Sequence, residues 1–257
     1  MKLAVFGFEP GTSARILIVG FTTLVMLTFI TVVARRRASY WWTSMSFIVA
    51  SCASLALGSF FAVRIFMGTL DDMRRVGGGI AVMLVGAWQA TQPILAAAWF
   101  AIVLTLYAIV FVLPRANKEL SAISYAQNTH PARFALLALV AFALGFAPVL
   151  LFRRAIAFVF GAVTPNAGIP IASIAQAIAN RLLVTATINL CCFIILMTLI
   201  VVTVLFAHRF HPSRSLFLVT IFALAVNLGL SAALVVNLTS FANRFRTAVL
   251  TGQMPFE

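Results

Sequence analysis

The sequence predicts an all-α, polytopic integral membrane protein of about six transmembrane helices, and two observations carry that prediction. Of the 257 residues, 63% are hydrophobic and only 9% charged, whereas soluble domains run about 45–50% apolar and about 25% charged. Unbroken apolar stretches then recur near 15–34, 43–67, 79–113, 134–160, 170–207 and 215–241. A helix needs roughly 20 residues to cross the hydrocarbon core. The strands of a membrane barrel would alternate apolar and polar residues, and these runs do not alternate. The chain reads as a single membrane domain, 1–257, multi-pass in a cell (inner or plasma) membrane. No segment is suited to a soluble domain.

The elements follow in order. The run 15–34 is not an evident cleaved signal: Glu9 accompanies Lys2 before it, no Ala-x-Ala site follows, and Arg35, Arg36 and Arg37 end it like an anchor. The run 43–67 is led out by Asp71, Asp72 and Gly77-Gly78-Gly79. That glycine run lacks the Lys and Ser or Thr of a phosphate loop and marks a turn. The third run carries Gln89, Thr91 and Gln92 beside Pro93, where a kink is expected. Runs three and five are long enough for helices of about 50 Å or more at 1.5 Å per residue. They project beyond a core of ~30 Å unless tilt or a kink absorbs the excess. The polar segment 114–133 is expected to be part helical.

The fourth and sixth runs open on related phrases, His130-Pro131-Ala132-Arg133 and His211-Pro212-Ser213-Arg214, and the odd runs end in basic residues. This pattern suggests helical hairpins repeated in one orientation, with repeats 43–113 and 134–207 and extra helices 15–34 and 215–241. Chance similarity among Ala-, Leu- and Phe-rich helices is the open alternative.

Net charge is +13, from 18 Lys and Arg against 5 Asp and Glu. The arginines fall mostly at helix ends, where they meet anionic lipid headgroups; nucleic acid is not an expected partner, since no basic soluble module exists to bind it. The Arg35–Arg37 cluster after the first helix favours that side as cytoplasmic, which would leave both termini outside. Cys52, Cys191 and Cys192 all lie in apolar runs and read as small packing residues. His130, His208 and His211 have no acidic or cysteine companion at metal spacing. No nucleophile elbow is present, so no enzyme, cofactor or metal site is expected.

The fifth run poses the sharpest question, because "IASIAQAIANRLLVTATINLCC" at 171–192 puts amides, hydroxyls and an arginine into an apolar helix. Ser173, Gln176, Asn180, Thr187, Cys191 and Thr198 share one stripe. Arg181, Thr185, Asn189, Cys192 and Thr203 are expected to form a second stripe beside it, the two making one polar face. Such side chains face a bundle interior, a partner helix or a wet cavity. The candidate pore- or partner-facing residues are therefore Asn180, Arg181, Thr185, Thr187, Asn189 and Thr198. Interhelical packing is the competing reading, at roughly 0.6 kcal/mol per hydrogen bond. The acids Glu9, Asp71, Asp72, Glu119 and Glu257 all lie outside the predicted spans. A proton path would therefore need a carboxylate from a partner.

"AIANRLLVTATINL" at 177–190 resembles the small-residue motif of the MotA/TolQ/ExbB family of proton-channel stator subunits, and "GGIAVMLVGAWQAT" at 78–91 looks like a degraded second copy. The preceding helices, "FALGFAPVLLFRRAIAFVFG" and "LALGSFFAVRIFMG", sit where the family has its G-rich helix. By position Thr185 matches the family's pore-facing threonine, and Ala87 stands there in the first copy. The motif's glutamate is Asn180 here and Val82 in the first copy. The resemblance implies a divergent, duplicated, ring-forming homo-oligomer around a single-span partner whose intramembrane Asp takes the proton. The alternative is a non-catalytic membrane scaffold or permease-like subunit whose polar helix face packs helices.

Overall fold

The structure is a computed structural model that describes residues 10–37, 40–76, 80–122, 131–163, 171–206 and 214–251, all of them helical. The elements are α1 (Pro10–Arg37), α2 (Tyr40–Val76), α3 (Ile80–Tyr107), α4 (Leu113–Ala122), α5 (Pro131–Val163), α6 (Ile171–Phe206) and α7 (Arg214–Thr251). A π turn at Ala108–Val112 joins α3 to α4. Six stretches are long and apolar enough to cross a membrane: Ala14–Val32, Trp42–Asp72, Val82–Ala116, Pro131–Gly161, Ala177–Val204 and Ser215–Ala248. The chain is an all-α polytopic membrane protein, in agreement with the sequence. Its helices α2 and α7 run further than the apolar runs 43–67 and 215–241 read from the sequence. The charged turns at Asp71, Asp72 and Arg74, and at Arg244 and Arg246, interrupt hydropathy without interrupting the helix.

The third predicted run continues through the π turn into the polar segment, and Pro114 explains the turn. Proline lacks an N–H, and its ring collides with the carbonyl four residues back, here that of Val110. Widening the helix relieves this clash: the Leu113 N–H donates to the Ala108 carbonyl, five residues back, so the ladder passes Pro114. Pro93 also sits within α3. In the turn beside it, the Thr91 hydroxyl and the Gln92 amide donate to the Trp88 carbonyl, at 2.7 and 3.4 Å. Two of the three polar side chains noted in the sequence thus bond the backbone of the turn before the proline. The carbonyl they share is adjacent to that of Gln89, which Pro93 leaves without its helical donor.

Helix α2 is the axis of the bundle. Around it α1 packs on α3, α3 on α7, α7 on α5, α5 on α6, and α6 closes on α1. Within its membrane-length window α2 is 89% buried, against 22–39% for its neighbours. Its composition explains this position. Ser46, Ala50, Ser51, Ala53, Ser54, Ala56, Ser59 and Ala62 are all buried and all small, so neighbouring backbones approach closely on every side. The closest approaches are at glycines. A Cβ on Gly58 would stand 2.6 Å from the Ala97 Cβ and 2.7 Å from the Pro93 carbonyl oxygen; one on Gly145 of α5 would stand 2.8 Å from the Cys52 Cα. The first helices of the two suggested repeats, α2 and α5, occupy different environments, 89% and 33% buried within their most apolar 18-residue windows.

The buried side chains form two large apolar clusters, one toward each end of the bundle. One includes Met45, Phe47, Ile48, Leu196, Ile200 and Leu224. The other includes Phe66, Ile94, Phe152, Ile156, Leu182 and Phe245, with Phe241 edge-on to Phe245 at 4.7 Å between ring centres. Between them, where α1, α2 and α3 meet, lies a smaller apolar cluster of Val19, Leu55, Leu57, Ala97, Ala98 and Ala101. On α6 and α7 the same interval holds polar side chains.

Candidate functional site

On α6 the clusters leave a gap between Ala186 and Cys192, and on α7 between Leu224 and Leu238. Asn189 occupies the first gap, and Asn227 and Ser231 the second; all three are fully buried. Asn189 and Ser231 stand at the middle of their spans, Ala177–Val204 and Ser215–Ala248. Buried amides and hydroxyls this deep in a span are unusual because hydrocarbon offers them no partners.

Several buried polar groups are well bonded. The Asn227 amide donates to Thr105 Oγ1 at 2.7 Å, and the Thr105 hydroxyl donates in turn to the Ala101 carbonyl, also at 2.7 Å. Ser51 Oγ lies 3.4 Å from Thr105 Oγ1 and 2.9 Å from the Phe47 carbonyl. This chain of bonds ties α7 to α3 and α3 to the axis. Thr23 and Ser54 share a hydrogen bond of 3.0 Å between α1 and α2, and Ser46 and Thr203 share one of 3.1 Å between α2 and α6.

Other buried polar atoms are unpaired. Both side-chain atoms of Asn189, together with Asn227 Oδ1 and Ser231 Oγ, are buried without a hydrogen-bond partner. An orphaned polar group costs about 1–3 kcal/mol, and in native proteins it calls for a reason such as strain, chemistry or a bound guest. The Ser46–Thr203 bond sets the level at which Asn189 sits. Thirteen residues along α2 from Ser46, or about 20 Å, lies Ser59; fourteen back along antiparallel α6 from Thr203, or about 21 Å, lies Asn189. Ser59 is fully buried and donates to its own Leu55 carbonyl at 2.9 Å.

The polar residues of α6 do not make one face. Thr185 and Asn189 are buried with Cys192 and Thr203, whereas Asn180, Arg181, Thr187 and Thr198 are exposed, as is Cys191. At 100° per residue Asn189 stands about 180° around the helix from Asn180. The two stripes therefore lie on opposite sides, and the expectation of a single polar face is corrected. The Thr185 hydroxyl donates to the Arg181 carbonyl at 2.9 Å, inside its own bundle. Outside, Thr187 and Thr198 bond the Leu183 and Ile194 carbonyls, each at 3.0 Å. A hydroxyl satisfied by its own helix can face lipid at little cost. Arg181 lies four residues into the Ala177–Val204 span, its guanidinium 4.2 Å from the centre of the Phe158 ring.

Thr105, Asn227 and Ser231 were not singled out by the sequence reading, although Asn227 and Ser231 are four residues apart within an apolar run. Gly77–Gly79, His130, His208, His211, Glu9 and Glu257, and the side chains of Ser173 and Gln176, lie outside the described residues. Among the described residues no three His, Cys, Asp or Glu side chains gather where they could hold a metal ion. No family model, curated protein or solved structure matches the chain. Its class rests on its own geometry: six membrane-length helices, five of them wrapped around one.

Proposed function

We propose that this chain is a permease-like subunit that admits a small polar solute to the mid-span layer between its two apolar clusters. The supporting observation is Asn189: a carboxamide at the middle of its span, fully buried, with neither its amide nor its carbonyl bonded. Substrate sites of membrane carriers lie near the bilayer midplane, at groups that exchange protein or water partners for solute. Asn227 Oδ1 and Ser231 Oγ are two further unbonded oxygens on α7, a separate feature. Helix α5 stands between α6 and α7, and the bonds to Thr105 and Ser51 set Asn227 about 12 Å along α2 from the level of Asn189. With no carboxylate in this layer, the site is suited to a neutral polar solute rather than to a proton.

The test needs no substrate. In a variant lacking Cys52, Cys191 and Cys192, a single cysteine at position 189 is exposed to a water-soluble methanethiosulfonate reagent in intact membranes. Position 196, a buried leucine further along α6, serves as the sealed control. Modification at 189 and not at 196 supports the reading. A cysteine at 189 as inert as the one at 196 overturns it, because polar solute cannot reach where water cannot.

A second reading follows the MotA/TolQ/ExbB resemblance, and the outer row of α6 favours it. Asn180, Thr187, Cys191 and Thr198 are exposed at spacings of seven, four and seven residues, the repeat of a helix–helix seam. In this reading copies of the chain ring a single-span partner that carries an intramembrane Asp. Oxidative cross-linking through the exposed Cys191 would then join neighbouring subunits, and such a partner would co-purify with a symmetric oligomer. A monomer by native mass measurement, without that partner, would remove this reading.

A further inference from the structure

A groove between α5 and α6 carries a second feature, independent of the buried layer. Leu150, Arg154 and Phe158 recur every four residues on α5, and all are exposed. Arg181, Val184 and Ile188 fall on one face of α6 by the same helical geometry, also exposed. The Arg181 guanidinium lies over the Phe158 ring, 4.2 Å from its centre, so the two stripes flank one groove. Because the helices are antiparallel neighbours, both stripes run from an arginine toward the membrane interior. Leu150 continues one of them; Val184 and Ile188 continue the other, at 58%, 58% and 40% exposure respectively.

Charge in this groove is uncompensated by its own helices. Glu9, Asp71, Asp72, Glu119 and Glu257 are the whole acidic complement of the chain, and none lies on α5 or α6. Arg153, next in sequence, turns the other way: it donates to Asn237 Oδ1 of α7 at 3.1 Å and sits 5.5 Å from the centre of the Phe241 ring. Arg154 and Arg181 are left facing outward, with Arg181 held by the aromatic ring rather than by an anion. A cation–π contact orients a guanidinium while leaving its N–H edge free to bind.

We propose that this groove binds one anionic phospholipid, its phosphate held by Arg154 and Arg181 and an acyl chain laid along Leu150, Val184 and Ile188. The occupant is a lipid rather than a free anion because the cationic end opens directly onto an exposed apolar stripe of a membrane-spanning helix pair. Two guanidiniums supply the fork that a phosphate accepts.

The experiment uses the full-length protein in detergent, with lipid adducts counted by native mass spectrometry. Phosphatidylglycerol is compared with phosphatidylcholine of the same acyl chains. One phosphatidylglycerol should be retained in preference to phosphatidylcholine. Arg154→Gln and Arg181→Gln should each weaken it roughly five-fold, on the order of 1 kcal/mol per arginine, and Arg153→Gln should leave it unchanged. Thermal unfolding of each variant verifies that the bundle is intact. Equal retention of the two lipids overturns the proposal, as does an unchanged adduct in the Arg154→Gln/Arg181→Gln protein. Displacement of the lipid by inorganic phosphate at equal concentration would assign the site to a free anion. An acidic polypeptide released by the double substitution, without any lipid preference, would assign it to a protein partner.

Discussion

Replacing Asn189 by leucine should make the protein more stable. Leucine is close to asparagine in shape, so the substitution removes the orphaned amide and carbonyl with little change in packing. Relief of an unbonded polar group is worth about 1–3 kcal/mol. Imperfect repacking of a near-isosteric side chain takes back less than about 1.5 kcal/mol. The site is fully buried between apolar clusters that already contain Ala186 and Cys192 of the same helix, which suits a leucine. A net gain of about 1 kcal/mol is expected, read from reversible unfolding in mixed micelles with sodium dodecyl sulfate and followed by helical circular dichroism. On the permease reading, the same variant should also lose transport. A protein that keeps an expensive group where a cheaper one fits is giving up stability for use. A loss of more than about 1 kcal/mol in the leucine variant would mean that the carboxamide is bonded in the folded protein, and the reasoning would fail at its first step.

Two further predictions concern how the bundle is held together. Gly58→Ala and Gly145→Ala should each destabilise the protein by about 1–3 kcal/mol, because the added methyl meets the Pro93 carbonyl or the Cys52 backbone; Gly229→Ala, with open space around it, should instead be neutral or stabilising by the same unfolding assay. A double-mutant cycle of Asn227→Ala with Thr105→Val should return a coupling near 0.6 kcal/mol, as for membrane interhelical hydrogen bonds in general, and a coupling indistinguishable from zero would show that the 2.7 Å bond holds nothing.

The number and type of helices were legible because bilayer thickness imposes a length, and unbroken apolar runs of that length stand out in any window. Which helix lies at the centre was harder to see. All six spans are apolar on every side, so periodicity does not separate them; the usable signal was the density of Ser, Ala and Gly around the whole of α2. The continuation of α3 into α4 was hidden by Pro114, which reads as a stop but here is bypassed by a π turn. On α6 the polar residues stand out in the sequence, but their faces were merged. Thr185 and Asn189 go inward and Thr187 and Thr198 outward, a division that strict use of the 100° step would have shown. Asn227 and Ser231 escape notice because α7 is sparser in polar residues, and only packing shows that Asn227 meets Thr105 of α3.

The position of α2 bears directly on the choice between the two functional readings. A bundle whose axis is filled by a helix 89% buried within its membrane-length window offers no straight channel through one copy. Passage within the chain must run beside α2, which requires a neighbouring helix to shift and expose the mid-span layer. The inner row of α6 would then do the work, with Asn189 as its polar centre. Passage between copies needs no such movement and uses the outer row, Asn180, Thr187, Cys191 and Thr198. By the family resemblance Thr185 would line that second path, yet its hydroxyl is engaged by the Arg181 carbonyl on the inner side, so a partner helix would meet Thr187 first. Because the rows lie on opposite sides of one helix, their substitutions are separable. Water access at 189 and cross-linking through Cys191 report on different surfaces, and each can be positive without the other. A chain that labels at 189 while remaining monomeric works through its own interior; one that cross-links into a ring with 189 sealed works through the surfaces between its copies.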